Sequence, residues 1–285
     1  MIESKIHIPS RDGFLLDSIL LEVGSVPKGV ILLAGGTGIK KEFYLNFARY
    51  VSEQGYHVLL FDYRGIGGSK PKSLRGFKAM NHEWGQKDMA AILDWLQQRY
   101  NTFPKFLIGH SAGGQQLGMM DNHNQFSKAL LISSSTGYWM WLSSPYKYFT
   151  LFIWQVLAPV LLSTVGYLPA SWFGLGEDLP KGVAAEWRSW CMNKQYFGKY
   201  FGTTIQKQFY NEVTIPLHFL FPEDDTIATD RTVQSLRNFY TKSPTTVEKI
   251  VLNDHNLQQI GHLGFFSRKV KDKLWGKALS FLNGK

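Results

Sequence analysis

The chain has 285 residues, 31 basic against 22 acidic side chains for a formal charge of +9, and one cysteine. That length accommodates one large domain with an insertion and a full core. The lone Cys191 excludes an internal disulfide framework, fits a reducing compartment and is read as a packing residue.

The first residues, Met1-Ile2-Glu3-Ser4-Lys5, lack the basic-then-apolar pattern of a secretory leader, so the cytoplasm is the expected location. A basic excess can mark nucleic-acid binding, but here no basic cluster interleaves with aromatics. The densest runs are Lys70, Lys72, Arg75 and Lys78, and Arg268, Lys269, Lys271, Lys273 and Lys277. The second run shares a helical repeat with Val270, Leu274, Ala278 and Phe281/Leu282, as on a helix docked on a core with a solvated basic face. No nucleic-acid partner is expected. The charge is read as solubility, with a mild preference for anionic substrates or surfaces as the lesser reading.

In chain order, residues 4–23 alternate around Asp12-Gly13 as an antiparallel hairpin would. A strand at 30–34 runs into Ala34-Gly35-Gly36-Thr37-Gly38, whose glycines let the backbone approach a bound molecule closely. A phosphate-binding reading fails there, because no Gly-Lys-Ser/Thr ends the loop and no acid follows at dinucleotide spacing. A helix at Phe43–Gln54, a strand at 57–61 and the block Phe61-Asp62-Tyr63-Arg64 follow, with Asp62 expected to tie down the loop after its strand. Helix Glu83–Arg99 presents Met89, Ile92, Leu93 and Leu96 on one face.

The strand at 105–109 ends in Gly109-His110-Ser111-Ala112-Gly113, a G-x-S-x-G pattern between an apolar strand and a helix start. A serine at the tip of such a turn sits in a strained backbone conformation that exposes its hydroxyl. Another strand lies at 128–133. The alternation then breaks between Gly137 and Tyr210, a stretch with six of the nine tryptophans: Trp139, Trp141, Trp154, Trp172, Trp187 and Trp190. These aromatics are expected to line an apolar pocket and to glue the inserted segment to the body.

Within that stretch, Tyr148 to Gly176 carries no charged residue and is long enough to cross a bilayer. Pro159 and the polar Gln155, Ser163 and Thr164 argue against a span. So does topology, since one crossing would separate Ser111 from the acid and histidine that follow. A face of the insertion resting on lipid remains the alternative. Glu177 and Asp178 are expected to cap a helix running through Trp190.

Strands at 216–221 and 248–252 precede two polar loops, and a helix at Thr229–Tyr240 lies between them. The first loop, Pro222-Glu223-Asp224-Asp225-Thr226-Ile227-Ala228, holds three consecutive acids; the second is Ile260-Gly261-His262-Leu263-Gly264-Phe265-Phe266. A nucleophilic serine needs a histidine base whose other nitrogen meets a carboxylate. Ser111, Asp225 and His262 supply that set in chain order. Asp224 is the alternative acid, and His255 and His110 are the rival histidines; His110 is read as shaping the turn.

These blocks, with Val30-Ile31-Leu32-Leu33-Ala34-Gly35-Gly36 and Asp62-Tyr63-Arg64-Gly65-Ile66-Gly67-Gly68-Ser69, resemble an α/β-hydrolase with a serine nucleophile. More narrowly, the Asp-Tyr-Arg-Gly-Ile-Gly, Gly-Glu-Asp-Leu-Pro and Ile-Gly-His-x-Gly-Phe-Phe blocks are similar to a group of bacterial predicted hydrolases. The resemblance implies an α/β fold with a mostly parallel central sheet, flanking helices and a helical lid inserted after strand 6. It divides the chain into a core over 1–136 and 211–285 and a lid over 137–210. It favours Asp225 as the acid, although Pro222 replaces the usual glycine of that loop. It implies an oxyanion hole from the amides of Ala112 and Gly36, with Thr37 second. It also implies a small-molecule acyl substrate, with no cofactor and no metal.

A carboxylic-ester hydrolase is the first expectation. Peptidase, thioesterase or acyltransferase chemistry on the same three residues is second, and a noncatalytic binding protein third. A serine at the elbow excludes epoxide hydrolase and haloalkane dehalogenase chemistry, which needs an aspartate there.

Overall fold

The computed structural model describes residues 1–284, and its centre is an eight-stranded sheet. β1 (Ile2–Pro9) and β2 (Leu15–Glu22) form the expected antiparallel hairpin, with Ile8 opposite Leu16. Next come β3 (Gly29–Ala34), β4 (Tyr56–Phe61), β5 (Lys105–His110) and β6 (Phe126–Ile132). β7 (Tyr167–Leu168) and β8 (Leu179–Pro180) make a separate small ladder. β9 (Leu217–Pro222) and β10 (Thr245–Ile250) return to the main sheet. The order is β1-β2-β4-β3-β5-β6-β9-β10, antiparallel up to the β2/β4 pair and parallel beyond it.

β3, β4 and β5 are buried along their whole length, which explains their near-continuous apolar sequences: helices cover both faces of the sheet. The order places the site. From β3 the chain crosses to β4 on one side, while β5 lies on the other, so the loops after β3 and β5 diverge. In open parallel sheets such a divergence places a ligand-binding crevice at the carboxyl ends of those strands. Ala34 is paired with Gly109 there, which sets the Gly35–Gly38 loop beside Ser111.

The helices are α1 (Leu45–Glu53), α2 (Ala90–Arg99), α3 (Ala112–Gln115), α4 (Tyr146–Thr164), α5 (Lys181–Cys191), α6 (Asp230–Arg237) and α7 (Gly276–Leu282). The helix behind the elbow is only four residues long and passes into a 3-10 turn, Gln116–Met119. Gly113, Gly114 and Gly118 weaken helix propagation, and the Tyr210 ring packs directly on Gly118.

The last helix is also not uniform: a 3-10 turn at Arg268–Val270 and a π turn at Lys271–Trp275 precede α7. Its stripe of Val270, Leu274, Ala278 and Leu282 is nevertheless buried, and Arg268, Lys269, Lys271 and Lys273 face solvent.

Glu177 and Asp178, expected to cap α5, do not. Leu179 and Pro180 form β8, which moves the helix start to Lys181 with no acid in its first turn. Asp178 instead accepts from the Ser171 amide and hydroxyl at 3.1 and 2.6 Å, and Glu177 pairs with Lys40 at 3.3 Å.

Between β6 and β9 lie α4 and α5, and this segment touches the loop after β3, where the Glu177 amide donates to the Gly38 carbonyl at 2.8 Å. Polar fasteners hold it: Glu186 accepts from the His82 amide at 3.0 Å, and its other oxygen meets the His82 ring at 2.7 Å. Apolar packing does the rest. Trp154 and Trp187 pack edge to face at 4.9 Å, and Trp190, Tyr196, Phe197 and Tyr210 form a continuous aromatic cluster. The buried Cys191 belongs to this packing. Trp172, by contrast, is 64% exposed.

Two buried ion networks fix the loops around the crevice. Asp62 accepts from the Lys41 amide, the Lys41 ammonium and the Gly68 amide at 2.8, 2.7 and 2.8 Å, tying its loop as the sequence suggested. Asp88, fully buried, accepts from the Ser10 hydroxyl and from the Arg64 amide and guanidinium at 2.7 to 3.0 Å. Removing the cation would strand a charge in the core. Arg64→Met should therefore destabilise the protein by about 3 to 5 kcal/mol, read from urea unfolding; a loss under about 1 kcal/mol, the range of exposed pairs, would mean that water reaches Asp88.

Candidate active site

Ser111 follows β5 with φ 51° and ψ −114°, a backbone conformation that costs energy for any residue with a Cβ. Local packing enforces it. The Ser111 amide donates to the Ile132 carbonyl at 3.0 Å, so the chain stays in register with β6 until the turn. A Cβ at Gly113 would collide with the Ala34 carbonyl, and one at Gly109 would lie 2.6 Å from the Gly114 nitrogen. The two glycines let strand, turn and helix close on each other while Ser111 points outward.

His262 lies on the loop after β10. Its Nε2 is 3.0 Å from Ser111 Oγ, and its Nδ1 is 2.9 and 3.0 Å from the two carboxylate oxygens of Asp225. The structure therefore brings Ser111, His262 and Asp225 together, and His262 rather than His255 is the ring on the serine. Asp225 also accepts from the Ile227 and Ala228 amides at 2.8 and 2.9 Å. Burial opposes its charge, but the His262 ring and these two amides hold its carboxyl below the usual carboxylate range.

The neighbouring acids do different work. Asp224 accepts from the Ile260 and Gly261 amides at 2.8 and 2.9 Å, anchoring the loop that carries His262. Glu223 accepts from the Leu252 amide at 2.7 Å at the end of β10.

His110 is the second ring at the site. It is completely buried, with Nδ1 2.8 Å from Tyr44 Oη and Nε2 3.0 Å from the His262 carbonyl. Since the carbonyl can only accept, Nε2 carries the proton, and Tyr44 donates to Nδ1. The same Tyr44 oxygen accepts from the Gly36 amide at 2.8 Å. One buried relay thus joins the loop after β3, the elbow and the backbone of His262. Burial, and next the nearby His262, push the His110 imidazole down to about 3, so it stays neutral.

The relay alters the expected oxyanion donors. The Gly36 amide is occupied by Tyr44, so it is not free to meet a substrate oxygen. Gly36 is required for space instead, because a Cβ there would lie 3.1 Å from His110 Nδ1 and 3.3 Å from Ser111 Cβ. Among the described residues the amides of Thr37 and Ala112 have no hydrogen-bond partner. Tyr44 was not among the residues singled out from the sequence, where it reads only as the start of an amphipathic helix. No group of three or more His, Cys, Asp or Glu among the described residues could hold a metal ion.

The family described as serine aminopeptidase, S33, matches residues 25–256, more than half of the chain, and the chain belongs to it. It is a serine hydrolase of the α/β-hydrolase superfamily. Among curated proteins it is 31% identical over 86 residues to the Danio rerio lysophosphatidylserine lipase ABHD12, a match covering 30% of this chain and 20% of that protein. It is 28% identical over 108 residues to the Homo sapiens monoglyceride lipase, covering 38% of this chain and 35% of the lipase. Such matches span about a third of the relatives' length or less. Among solved structures, a thermostable carboxyl esterase from Bacillus coagulans superposes with a TM-score of 0.67 at 16% identity, over 100% of this chain and 99% of that one. A Pyrococcus furiosus esterase gives 0.64 at 17%, over 99% and 91%. These likenesses establish the fold.

The relay generates two predictions. Tyr44→Phe strands the Gly36 amide and His110 Nδ1 without partners, and should cost about 1 to 3 kcal/mol in urea unfolding. For His110 the sign follows from its depressed value. Between its ordinary 6.5 and about 3 the unfolded chain binds a proton that the folded chain excludes, so stability is lost as pH falls through that window. Wild type should lose up to about 1.4 kcal/mol per pH unit there beyond the loss of His110→Asn, read from unfolding curves at several pH values. Parallel pH profiles for the two proteins would mean that His110 titrates as if exposed.

Proposed function

We propose that the protein hydrolyses carboxylic esters with an apolar acyl group through a covalent intermediate on Ser111. The observation that carries this is the His262 ring bridging Ser111 Oγ and the Asp225 carboxylate. His262, its Nδ1–H hydrogen-bonded to Asp225, accepts the Ser111 hydroxyl proton at Nε2 as Oγ attacks the ester carbonyl carbon. The oxygen of the tetrahedral intermediate is met by the unpartnered amides of Ala112 and Thr37, with Thr37 replacing Gly36 in that role. His262 passes the proton to the leaving alcohol. Water then attacks the acyl-serine, again losing its proton to His262, and the carboxylic acid leaves as Ser111 regains its hydroxyl.

The family description makes a peptide substrate the second reading. An aminopeptidase needs a carboxylate to receive the substrate's terminal ammonium. The inserted segment has three carboxylates, Glu177, Asp178 and Glu186, and each already faces Lys40, Lys70 or His82. That favours an ester. The tryptophan-rich insertion over 137–210 is proposed as the lid that forms the acyl pocket and limits water.

A fluorophosphonate probe, with the adduct located by peptide mass, tests the nucleophile; labelling should fall on Ser111 and vanish in Ser111→Ala. Turnover of short-chain esters should fall by several orders of magnitude, on the order of 10⁶ in Ser111→Ala and 10⁴ in Asp225→Asn. Asp224→Asn, which only loosens the loop of His262, should cost about tenfold, the equivalent of one hydrogen bond. Equal losses in Asp224→Asn and Asp225→Asn would reassign the acid. Faster cleavage of aminoacyl anilides than of esters would favour the peptidase.

A further inference from the structure

A helix packed on a protein surface normally turns charged or polar residues outward; α4 does the opposite. Its inner face is conventional, with Trp154, Ala158 and Leu162 buried four residues apart in the core. On the outer face stand Tyr148, Phe149, Phe152, Val156 and Val160, each between 45% and 59% exposed. Trp172, Phe173 and Leu175 follow in the next loop, also 46% to 64% exposed. The helix is long and apolar enough to cross a membrane by composition alone. Its inner face ties it down, however, and the Arg188 guanidinium donates to the Trp154 carbonyl, fixing α4 to α5.

The charged residues placed at the two ends of α4 are basic. No charged residue occurs from Tyr148 to Gly176. Lys147 opens the stretch, its ammonium 5.1 Å from the Tyr148 ring centre. Arg75 closes the far end of the helix, donating to the Val165 and Thr164 carbonyls at 3.0 and 3.1 Å. Exposed Lys72 stands in the same loop as Arg75. Among the described residues Lys72, Arg75 and Lys147 form no ion pair, whereas the nearest acids downstream, Glu177 and Asp178, are already paired with Lys40 and Lys70.

From an apolar helix face with a cationic border we infer that α4 and the Trp172–Leu175 loop form a docking surface for an anionic lipid interface. The helix lies flat in the headgroup boundary, with its outer side chains among the acyl chains and Lys72, Arg75 and Lys147 against phosphate or carboxylate headgroups. This binding requires no turnover, so it stands or falls separately from the ester reading.

Flotation of the full-length protein with vesicles tests it, using phosphatidylcholine alone and phosphatidylcholine mixed with phosphatidylserine. The wild type should float with the mixed vesicles and less with the neutral ones, and added salt should release it as the headgroup attraction is screened. Phe152→Glu with Val156→Glu should reduce the bound fraction about tenfold or more. Lys72→Glu with Lys147→Glu should abolish the preference for phosphatidylserine. Urea unfolding midpoints near wild type would certify that both variants fold, since all four side chains lie at the surface or its edge. A wild type that stays with the aqueous phase, or one whose binding ignores both pairs of substitutions, would overturn the proposal. So would a dimer that Phe152→Glu splits, since a second copy would then occupy the face.

Discussion

The site depends on a backbone conformation that Ser111 would not adopt by itself. A positive φ at a residue with a side chain is held by contacts on three sides: the Ile132 carbonyl on its amide, the Ala34 carbonyl against Gly113, and the Gly114 backbone against Gly109. The Ala34 and Ile132 carbonyls and Gly109 belong to the parallel core of β3, β6 and β5, whose registers at Ala34–Gly109 and His110–Ile132 fix the strand ends, and Gly114 belongs to α3. A slip of one residue in either pairing would turn the Ser111 side chain away from the crevice. The buried strands are therefore as much part of the site as the serine.

From that fixed point the other groups are located by hydrogen bonds to backbone rather than by side-chain packing alone. Three consecutive carboxylates after β9 divide the work. Glu223 holds the end of β10, Asp224 holds the 260–261 turn, and Asp225 faces the His262 ring. The His262 backbone is held a second time, by His110 from the elbow. Placing the ring within reach of Ser111 thus takes two independent anchors, Asp224 on the 260–261 turn and His110 on the His262 carbonyl. The neutrality of His110 matters here: a protonated ring would present a donor to Tyr44 and place a positive charge beside the ring that must take the Ser111 proton.

The strand pattern was legible because fully buried parallel strands leave long apolar runs, and the elbow because its glycines and serine are close in sequence. The same locality made His262 and the three consecutive acids recognisable as candidates on loops after strands. What was hidden depends on contacts between distant segments. Nothing near Gly36 announces that Tyr44 will take its amide, and the choice among Glu223, Asp224 and Asp225 lies in which amides converge on each. The capping role expected for Glu177 and Asp178 failed for a related reason. The sequence shows acids ahead of a helix, but the two-residue ladder of Tyr167–Leu168 with Leu179–Pro180 pushes the helix start beyond their reach.

Two helices with similar apolar stripes show why net charge says little until it is placed. The terminal segment from Arg268 to Leu282 buries Val270, Leu274, Ala278 and Leu282 and offers lysines and an arginine to solvent, the arrangement that keeps a protein soluble. On α4 the buried row of Trp154, Ala158 and Leu162 is equally regular, yet the opposite face is aromatic and aliphatic, and the basic groups stand at its ends. Burial of the inner row accounts for folding of the helix and places no demand on the outer one. Polar residues would serve the outer face at no cost to that packing, as Gln155, Ser163 and Thr164 do at single positions. The apolar majority there is thus not required by the folding of the helix.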